Sequence, residues 1–387
     1  MLPDFTKKNL EICPLERAET IPSSWYVDPH FLKLDKQCIF ARTWQYVGHR
    51  SRVEHPGNYL TATIAGNPII IVRGKDNIVR AFYNVCRHRG GPLAIDESGN
   101  CNVLQCKYHG WTYALDGMLR GVPQFDRVEL FDRKDFGLIP VNIDTWEGLV
   151  FVKLSKDETS LSSTMKGIPE RIAPIKLSTK KFHRRVNYDV NCNWKVYVDN
   201  YLEGYHLPYV HPELCQLLDY QKYVTETFEH YSLQYSPFTG NENVYGSRDG
   251  VAYYYFVFPN FMMNILPGRL QTNLVIPLSH NRCRVIFDYY YDDIVSADAR
   301  LRADQSAEVS TKTETHSGVQ VRKFIEDDIE YSDTIQQEDM EICEHVQRGL
   351  ESVAYDKGRF SVEMEKGVYH FQCLLKKAYQ QAYNSLL

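Results

Sequence analysis

Residues 86–110 read CRHRGGPLAIDESGNCNVLQCKYHG, three cysteines and two histidines between glycine shoulders, and the fold turns on what those side chains hold. Cys86-x-His88 is separated by seventeen residues from Cys106-x-x-His109, with Cys101 outside that spacing. Two thiols and two imidazoles on two loops suit a tetrahedral zinc ion, which accepts the same donors. They suit equally an iron–sulfur cluster in which one iron takes both cysteines and the other both histidines. A chance gathering of core thiols and surface histidines is the third reading. The pairing of Cys-x-His with Cys-x-x-His favours the second, a Rieske [2Fe–2S] centre with a potential of roughly −150 to +300 mV, because neutral imidazoles replace two anionic thiolates. Gly90, Gly91 and Gly110 leave room for backbone amides to approach the bridging sulfides.

Outward from this motif the chain is rich in short strands. YLTATIAGNPIIIVRGKDNIVRAFYNV, following Asn58, is β-branched and aromatic and is cut by Gly-Asn-Pro and Gly-Lys-Asp-Asn turns. WTYALDGMLRG reads as a hairpin with Asp116-Gly117 at its tip, and LIPVNIDTWEGLVFVKL adds two more strands. Residues 43–155 are therefore expected to form a small all-β domain. The polar KDETSLSSTMKG marks its end, and residues 1–42 are expected to pack on the domain formed by residues 156–387. In that second domain a strand at 185–190 leads to Asn193 as N-cap of a helix expected from 194 to about 207, where Pro208 ends or kinks it. YYYFVF, MMNIL, TNLVIPL and CRVIFDYYY read as strands, residues 297–349 as a charged helix, and 365–383 as a final helix. The expected class is α+β.

Composition excludes several functions. A formal charge of −5 over mixed-sign segments offers no basic stripe for nucleic acid. The longest apolar runs, such as 253–259, fall far short of the roughly 20 residues that span a bilayer, and the first twenty residues carry no secretory pattern. Ten scattered cysteines in 387 residues do not make a disulfide framework. A soluble, cytoplasmic protein with neither nucleic acid nor membrane as partner is expected. No GxGxxG follows a strand, so the chain is not expected to bind a nicotinamide cofactor itself.

A second constellation lies in NWKVYVDNYLEGYHLPYVH, residues 193–211. On a regular helix Asp199, Glu203 and His206 fall at i, i+4 and i+7 and share a face, with His211 brought round by the bend at Pro208. Two histidines and a carboxylate with open positions suit mononuclear Fe(II). A solvated amphipathic helix carrying two ordinary histidines is the plainer alternative.

CRHRGG followed by CKYHGWTYALDG closely resembles the signature of the Rieske non-haem iron oxygenase large (alpha) subunits. The resemblance extends over WYVDP, IFARTWQYVGH, both metal motifs, TNLVIPL and the tail VQRGLESVAYDKGRFSVEMEKGVYHFQ, and within the family it is nearest the choline monooxygenase, glycine betaine and carnitine oxygenase branch. It implies Cys86, His88, Cys106 and His109 as cluster ligands, and an antiparallel-sheet catalytic domain of helix-grip type with helices on one side. It implies His206 and His211 as iron ligands and, through QQEDMEICEHVQRGL, Asp339 as the third, leaving Glu338 and Glu341 as a solvated acidic face. Glu203 would bridge a cluster histidine of one subunit to an iron histidine of the next, in a ring that is usually a homotrimer. Relatives often carry Asp there, so Asp199 is the runner-up. Electrons would come from NAD(P)H through a separate flavin/iron–sulfur reductase, and O2 would be the oxidant.

The implied substrate is a small quaternary ammonium compound. Such a cation has no N–H to hydrogen-bond, so aromatic faces hold it, each worth on the order of 2 kcal/mol when desolvated. Tyr253, Tyr255 and Phe261 are candidates for such a cage, or plain core residues. A ring-hydroxylating dioxygenase acting on an apolar arene is the rival, and an electron-transfer protein, needing only the β domain, is the alternative from another class.

Overall fold

The computed structural model describes residues 7–239, 250–292 and 314–384. The chain divides into two compact units, Asp35–Lys166, and Met1–Leu34 together with Gly167–Leu387. The first unit runs past both expected limits, and at its end KDETSLSSTMKG is tied to it. Lys153 Nζ donates to the Asp157 carboxylate at 2.7 Å and to Thr159 O at 2.7 Å. Ser160 then caps the short helix Leu161–Thr164 by accepting from Ser163 N.

The first unit is all-β where it carries chemistry. A seven-stranded sheet runs in the order Gln45–His49, Leu149–Lys153, Pro140–Trp146, Val79–Tyr83, Asn67–Arg73, Asn58–Ile64, Ser98–Asn100. A three-stranded sheet of Leu104–Gln105, Thr112–Tyr113 and Leu119–Gly121 carries the second cysteine loop at one end and the Asp116-Gly117 hairpin at the other. Gly117 has φ +91, a conformation that favours glycine, and Met118 N donates to Asp116 Oδ1 at 3.0 Å.

The second unit is built on a seven-stranded antiparallel sheet ordered Lys181–Val190, Arg282–Tyr291, Arg269–Ser279, Phe261–Leu266, Val251–Val257, Tyr231–Pro237, Val224–Thr227. All four strand segments read from sequence lie in it. The helices Trp194–Tyr201 and Glu314–Leu350 pack on each other and on the sheet, and Lys366–Asn384 packs on the strands at the other edge. Residues 297–313 of the expected charged helix lie outside the described residues. Within this unit, Ile21 N donates to Gln372 Oε1 at 2.8 Å and Trp25 stacks edge-on to Tyr379 at 4.8 Å, so the N-terminal segment is fastened to the last helix.

One expected element is different. The helix opened by Asn193, whose side chain accepts from Lys195 N at 2.9 Å, ends at Tyr201 rather than near residue 207. Pro208 sits at the start of a separate helix, Leu207–Val210, where its missing N–H costs nothing. The break has a local cause. The Glu203 carboxylate accepts from the backbone N–H groups of Tyr205 and His206, amides that a continuous helix needs for its own ladder. Gly204 lies in that gap, and Leu202 O is covered by Gly367, where an added Cβ would lie 2.2 Å from it. Asp199, Glu203 and His206 therefore do not share one helical face.

Candidate functional site

The first group of donors is set by two tight turns. Cys86 N donates to Gly91 O at 2.8 Å and Gly90 N to Cys86 O at 3.0 Å; in the partner loop Cys106 N donates to Trp111 O at 2.8 Å and Gly110 N to Cys106 O at 3.1 Å. Buried Asn84 braces the first loop, accepting from Leu93 N and Ala94 N and donating to Ala94 O. A Cβ on Gly91 would lie 2.7 Å from Cys106 Sγ, so only glycine lets the loops close. Cys86 and Cys106 are buried, and the His88 and His109 rings meet at 4.8 Å. Tyr113 Oη lies 3.2 Å from Cys86 Sγ and accepts from Arg87 N at 2.9 Å. Burial pushes the Cys86 thiol up, and burial together with His109 and Arg89 pulls His88 down.

These four residues fit a cluster better than a single ion. A zinc ion with bonds of about 2.0–2.3 Å holds its donors within about 4 Å of one another. Among the described residues the group of donors set close enough together to hold a single ion is His206, His211 and Asp339, and the two cysteines and two histidines are not such a group. His88 Nδ1 is buried with no hydrogen-bond partner among the described residues, an orphan that a metal ligand bond would satisfy.

The second group does converge. His211 Nε2 lies 2.9 Å and His206 Nε2 3.8 Å from Asp339 Oδ1. His206 comes from the gap between two helices, His211 from the junction of Leu207–Val210 and Pro212–Leu217, and Asp339 from the long helix. Each imidazole is turned by a carboxylate: His206 Nδ1 lies 2.7 Å from Glu203 Oε1, and His211 Nδ1 lies 2.6 Å from Glu338 Oε2. A carboxylate only accepts, so each Nδ1 donates to its glutamate, and with a metal bound each Nε2 would give its lone pair to the ion. Asn200 Nδ2 fixes Asp339 Oδ1 at 2.6 Å. Burial opposes charge on His211, but Asp339 and Glu338 outweigh it and raise its pKa. A hard–borderline set of two imidazoles and one carboxylate, with no fourth donor closing it among the described residues, fits a divalent iron.

Two cavities meet at this group. One of about 130 Å³ is lined by His206, His211 and Asp339 and by Tyr201, Tyr223 and Tyr254. Its lining also holds Tyr331 Oη and Gln336 Nε2, buried atoms with no hydrogen-bond partner among the described residues. The other, of about 570 Å³, shares Asn200, Glu203 and His206 with the first and adds Asp199 and Tyr355. Asp199 accepts from Tyr26 Oη at 2.5 Å and Gln372 Nε2 at 3.3 Å, and burial pushes its pKa up to about 7.

The site differs in part from the reading of the sequence. Glu338 is not merely solvated; it orients His211. Tyr253, Tyr255 and Phe261 do not line the small cavity, whereas Tyr254 does, since successive strand residues face opposite ways. Asn200 and Tyr113 act on ligand candidates but left no mark in the spacing of the motifs. Glu341, by contrast, is 80% exposed in its side chain, as a solvated acid should be.

Comparison with known proteins bears on both units. Residues 43–132 match the Rieske [2Fe-2S] domain, and residues 177–381 match the ring hydroxylating alpha subunit catalytic domain. The chain therefore belongs to the ring-hydroxylating alpha subunits that carry a Rieske domain; it is a Rieske non-haem iron monooxygenase. It is 35% identical over 376 residues to the chloroplastic choline monooxygenase of Arabidopsis thaliana, covering 94% of this chain and 83% of that one. It is 28% identical over 392 residues to the carnitine monooxygenase oxygenase subunit of Escherichia coli (strain K12), covering 98% of each. The structure of the quaternary ammonium Rieske monooxygenase CntA with L-carnitine superposes with a TM-score of 0.78 at 29% identity, covering 96% of this chain and all 100% of that one. Naphthalene 1,2-dioxygenase from Rhodococcus, at 18% identity and a TM-score of 0.71, shares the fold. A catalytic domain across residues 177–381 removes the electron-carrier reading. No helix among the described residues is long and apolar enough to cross a membrane.

Proposed function

We propose that this chain is the oxygenase component that hydroxylates, and in doing so can N-demethylate, a small quaternary ammonium compound. The observation that carries the reading is the tyrosine-lined cavity of about 130 Å³ opening on His206, His211 and Asp339. It is small against the ~300–1,000 Å³ of pockets for drug-sized ligands, which suits a small substrate. Tyr201 Oη is tied to Asn264 Oδ1 at 2.7 Å and Tyr223 Oη to Gln234 Oε1 at 3.1 Å, so these rings are held as fixed faces for a cation.

Cys86, His88, Cys106 and His109 would hold the cluster, and His206, His211 and Asp339 the mononuclear iron. When bound, the two groups supply stored electrons and open positions for O2 beside the substrate. Glu203 and Glu338 would take the Nδ1 protons, turn each Nε2 toward the metal and fix the ring planes, and Asn200 holds the Asp339 carboxylate. Glu203 is the carboxylate we assign to the passage of electrons from a neighbouring subunit. It touches His206 and lines the larger cavity, whereas Asp199 is already engaged by Tyr26 and Gln372. A CntA structure has been described in terms of inter-subunit electron transfer. The same reading includes a homotrimer, a separate NAD(P)H-dependent flavin/iron–sulfur reductase, and a soluble cytoplasmic setting.

Hydroxylation of a carbon next to nitrogen gives a carbinolamine, which breaks its C–N bond and releases an aldehyde. The test is oxygen uptake and formaldehyde release by the reconstituted enzyme with a generic reductase, across choline, glycine betaine, carnitine, proline betaine and benzene. Oxygen uptake coupled to oxidation of at least one ammonium compound, with benzene inert, is the expected result. Turnover of benzene alone would overturn it.

A further inference from the structure

The small cavity holds more polar chemistry than an ammonium group needs. Along the strand Arg269–Ser279 the alternate residues Arg269, Gln271 and Asn273 line it. Arg269 Nη2 donates to Gln271 Oε1 at 2.6 Å, and Gln271 Nε2 donates to Asn273 Oδ1 at 2.9 Å. Arg269 is the one Lys or Arg among the described lining residues. Its Nη1 meets Asp328 Oδ1 at 2.5 Å, and Asp328, fully buried, also accepts from Tyr291 Oη at 2.6 Å and is not in the cavity wall. The aspartate thus anchors the guanidinium from behind. An ion pair buried in this way stabilises no better than well-packed apolar residues of similar volume, so stability is a weak reason for it to be here.

The long helix brings a second element to the same wall. Ser332 Oγ donates to Gln271 Oε1 at 3.3 Å, which sets this turn of the helix beside the Arg269–Gln271 pair. The preceding residue is Tyr331, whose buried hydroxyl lines the cavity without a hydrogen-bond partner among the described residues. Desolvating a hydroxyl with nothing to bond is unfavourable unless a ligand completes it.

We infer that the substrate is a zwitterion: a quaternary ammonium whose carboxylate, a few bonds away, is received by Arg269 and the Tyr331 hydroxyl. This rests on the quaternary ammonium reading above and narrows it. Asp328 already balances Arg269, so a betaine enters the cavity without changing its net charge. Choline brings a cation with no carboxylate of its own to meet the guanidinium. Arg269 and Tyr331 set specificity by contact with the carboxylate, and Asp328 is a positioning residue behind them.

The test is anaerobic titration calorimetry on the cluster- and iron-loaded protein with glycine betaine, γ-butyrobetaine, the amide of γ-butyrobetaine, and choline. At least one carboxylate is expected to bind about 10- to 100-fold more tightly than the amide and choline, the span of a charge-assisted hydrogen-bonded contact. Tyr331→Phe should reduce that preference several-fold with the Kd for the amide little changed. Removing Arg269 alone would strand a buried aspartate and can unfold the protein, so the second variant is the pair Arg269→Gln with Asp328→Asn, checked by circular dichroism. It should bring the carboxylate down to the affinity of the amide. Equal binding of carboxylates, amide and choline by the unsubstituted protein would overturn the inference while leaving the ammonium reading standing, as would a preference that survives both variants. Failure of every ammonium compound to bind would remove both.

Discussion

The histidines of the two centres keep opposite company. His88 and His109 lie among aromatic rings, His88 stacked on Trp111 at 4.8 Å, with Arg87, Arg89 and Lys107 exposed around them. Among the described residues neither pairs with a carboxylate. His206 and His211 each donate to one and face a third. The contrast suits what each site is proposed to hold. A cationic setting favours a group that must gain an electron, whereas three carboxylates around two imidazoles favour a resident divalent cation.

The comparison breaks most sharply if the two sites are emptied one at a time. Asp339→Ala or His211→Ala should abolish oxygenation, a loss of at least about 1,000-fold, while the visible spectrum of the cluster persists; Cys106→Ala should bleach that spectrum. Loss of both centres in either variant, read by metal and labile-sulfide analysis, would mean that they are not independent. A smaller effect is expected one step out. Glu338→Gln should weaken ferrous binding about 10- to 100-fold by chelator competition, since the amide cannot hold the imidazole proton as a carboxylate does. Glu341→Gln, on a side chain 80% exposed, should not.

The two sites also differ in how much the sequence discloses. The cluster motif is local: its four donors lie within residues 86–109, and the glycines that close its loops are visible in the same string. The strands around it, the N-cap at Asn193 and the four catalytic-sheet segments were legible for the same reason, that period and turn chemistry act over a few residues. The candidate iron site is assembled from residues 203–211 and 338–339, and no local pattern joins them. Asp339 came from family resemblance. Glu338 read as solvated because a charged helix does not show which of its turns faces inward. The expected helix through His206 failed because helical spacing was counted across residues whose amides Glu203 takes for itself. Alternation gives a period and not a phase, so it does not single out Tyr254 from its neighbours.

Two finer differences sharpen the contrast. Burial raises the Asp199 pKa to about 7 against the pull of Tyr26, Gln372 and Lys195. The folded chain therefore keeps a proton that the unfolded chain releases between about pH 4 and 7, so stability contributed there is lost as pH rises through that window. Asp199→Asn should flatten this slope, a change of about 2 to 3 kcal/mol in urea unfolding between pH 5 and 8. A slope unchanged by the substitution would place the titration elsewhere. The smallest effect is expected at Tyr113, whose hydroxyl lies 3.2 Å from Cys86 Sγ. A donor to that sulfur stabilises the more negative, reduced cluster, so Tyr113→Phe should lower its potential by on the order of 50 mV in a spectroelectrochemical titration. A rise would contradict the hydrogen bond's direction.

The central claim is that one set of donors holds a cluster and the other a lone iron. Iron and acid-labile sulfide analysis of protein reconstituted anaerobically tests it most directly. The account predicts about three irons and two labile sulfides per chain, falling to about two irons with both sulfides kept in Asp339→Ala. Stoichiometric zinc, or iron without labile sulfide, would contradict it.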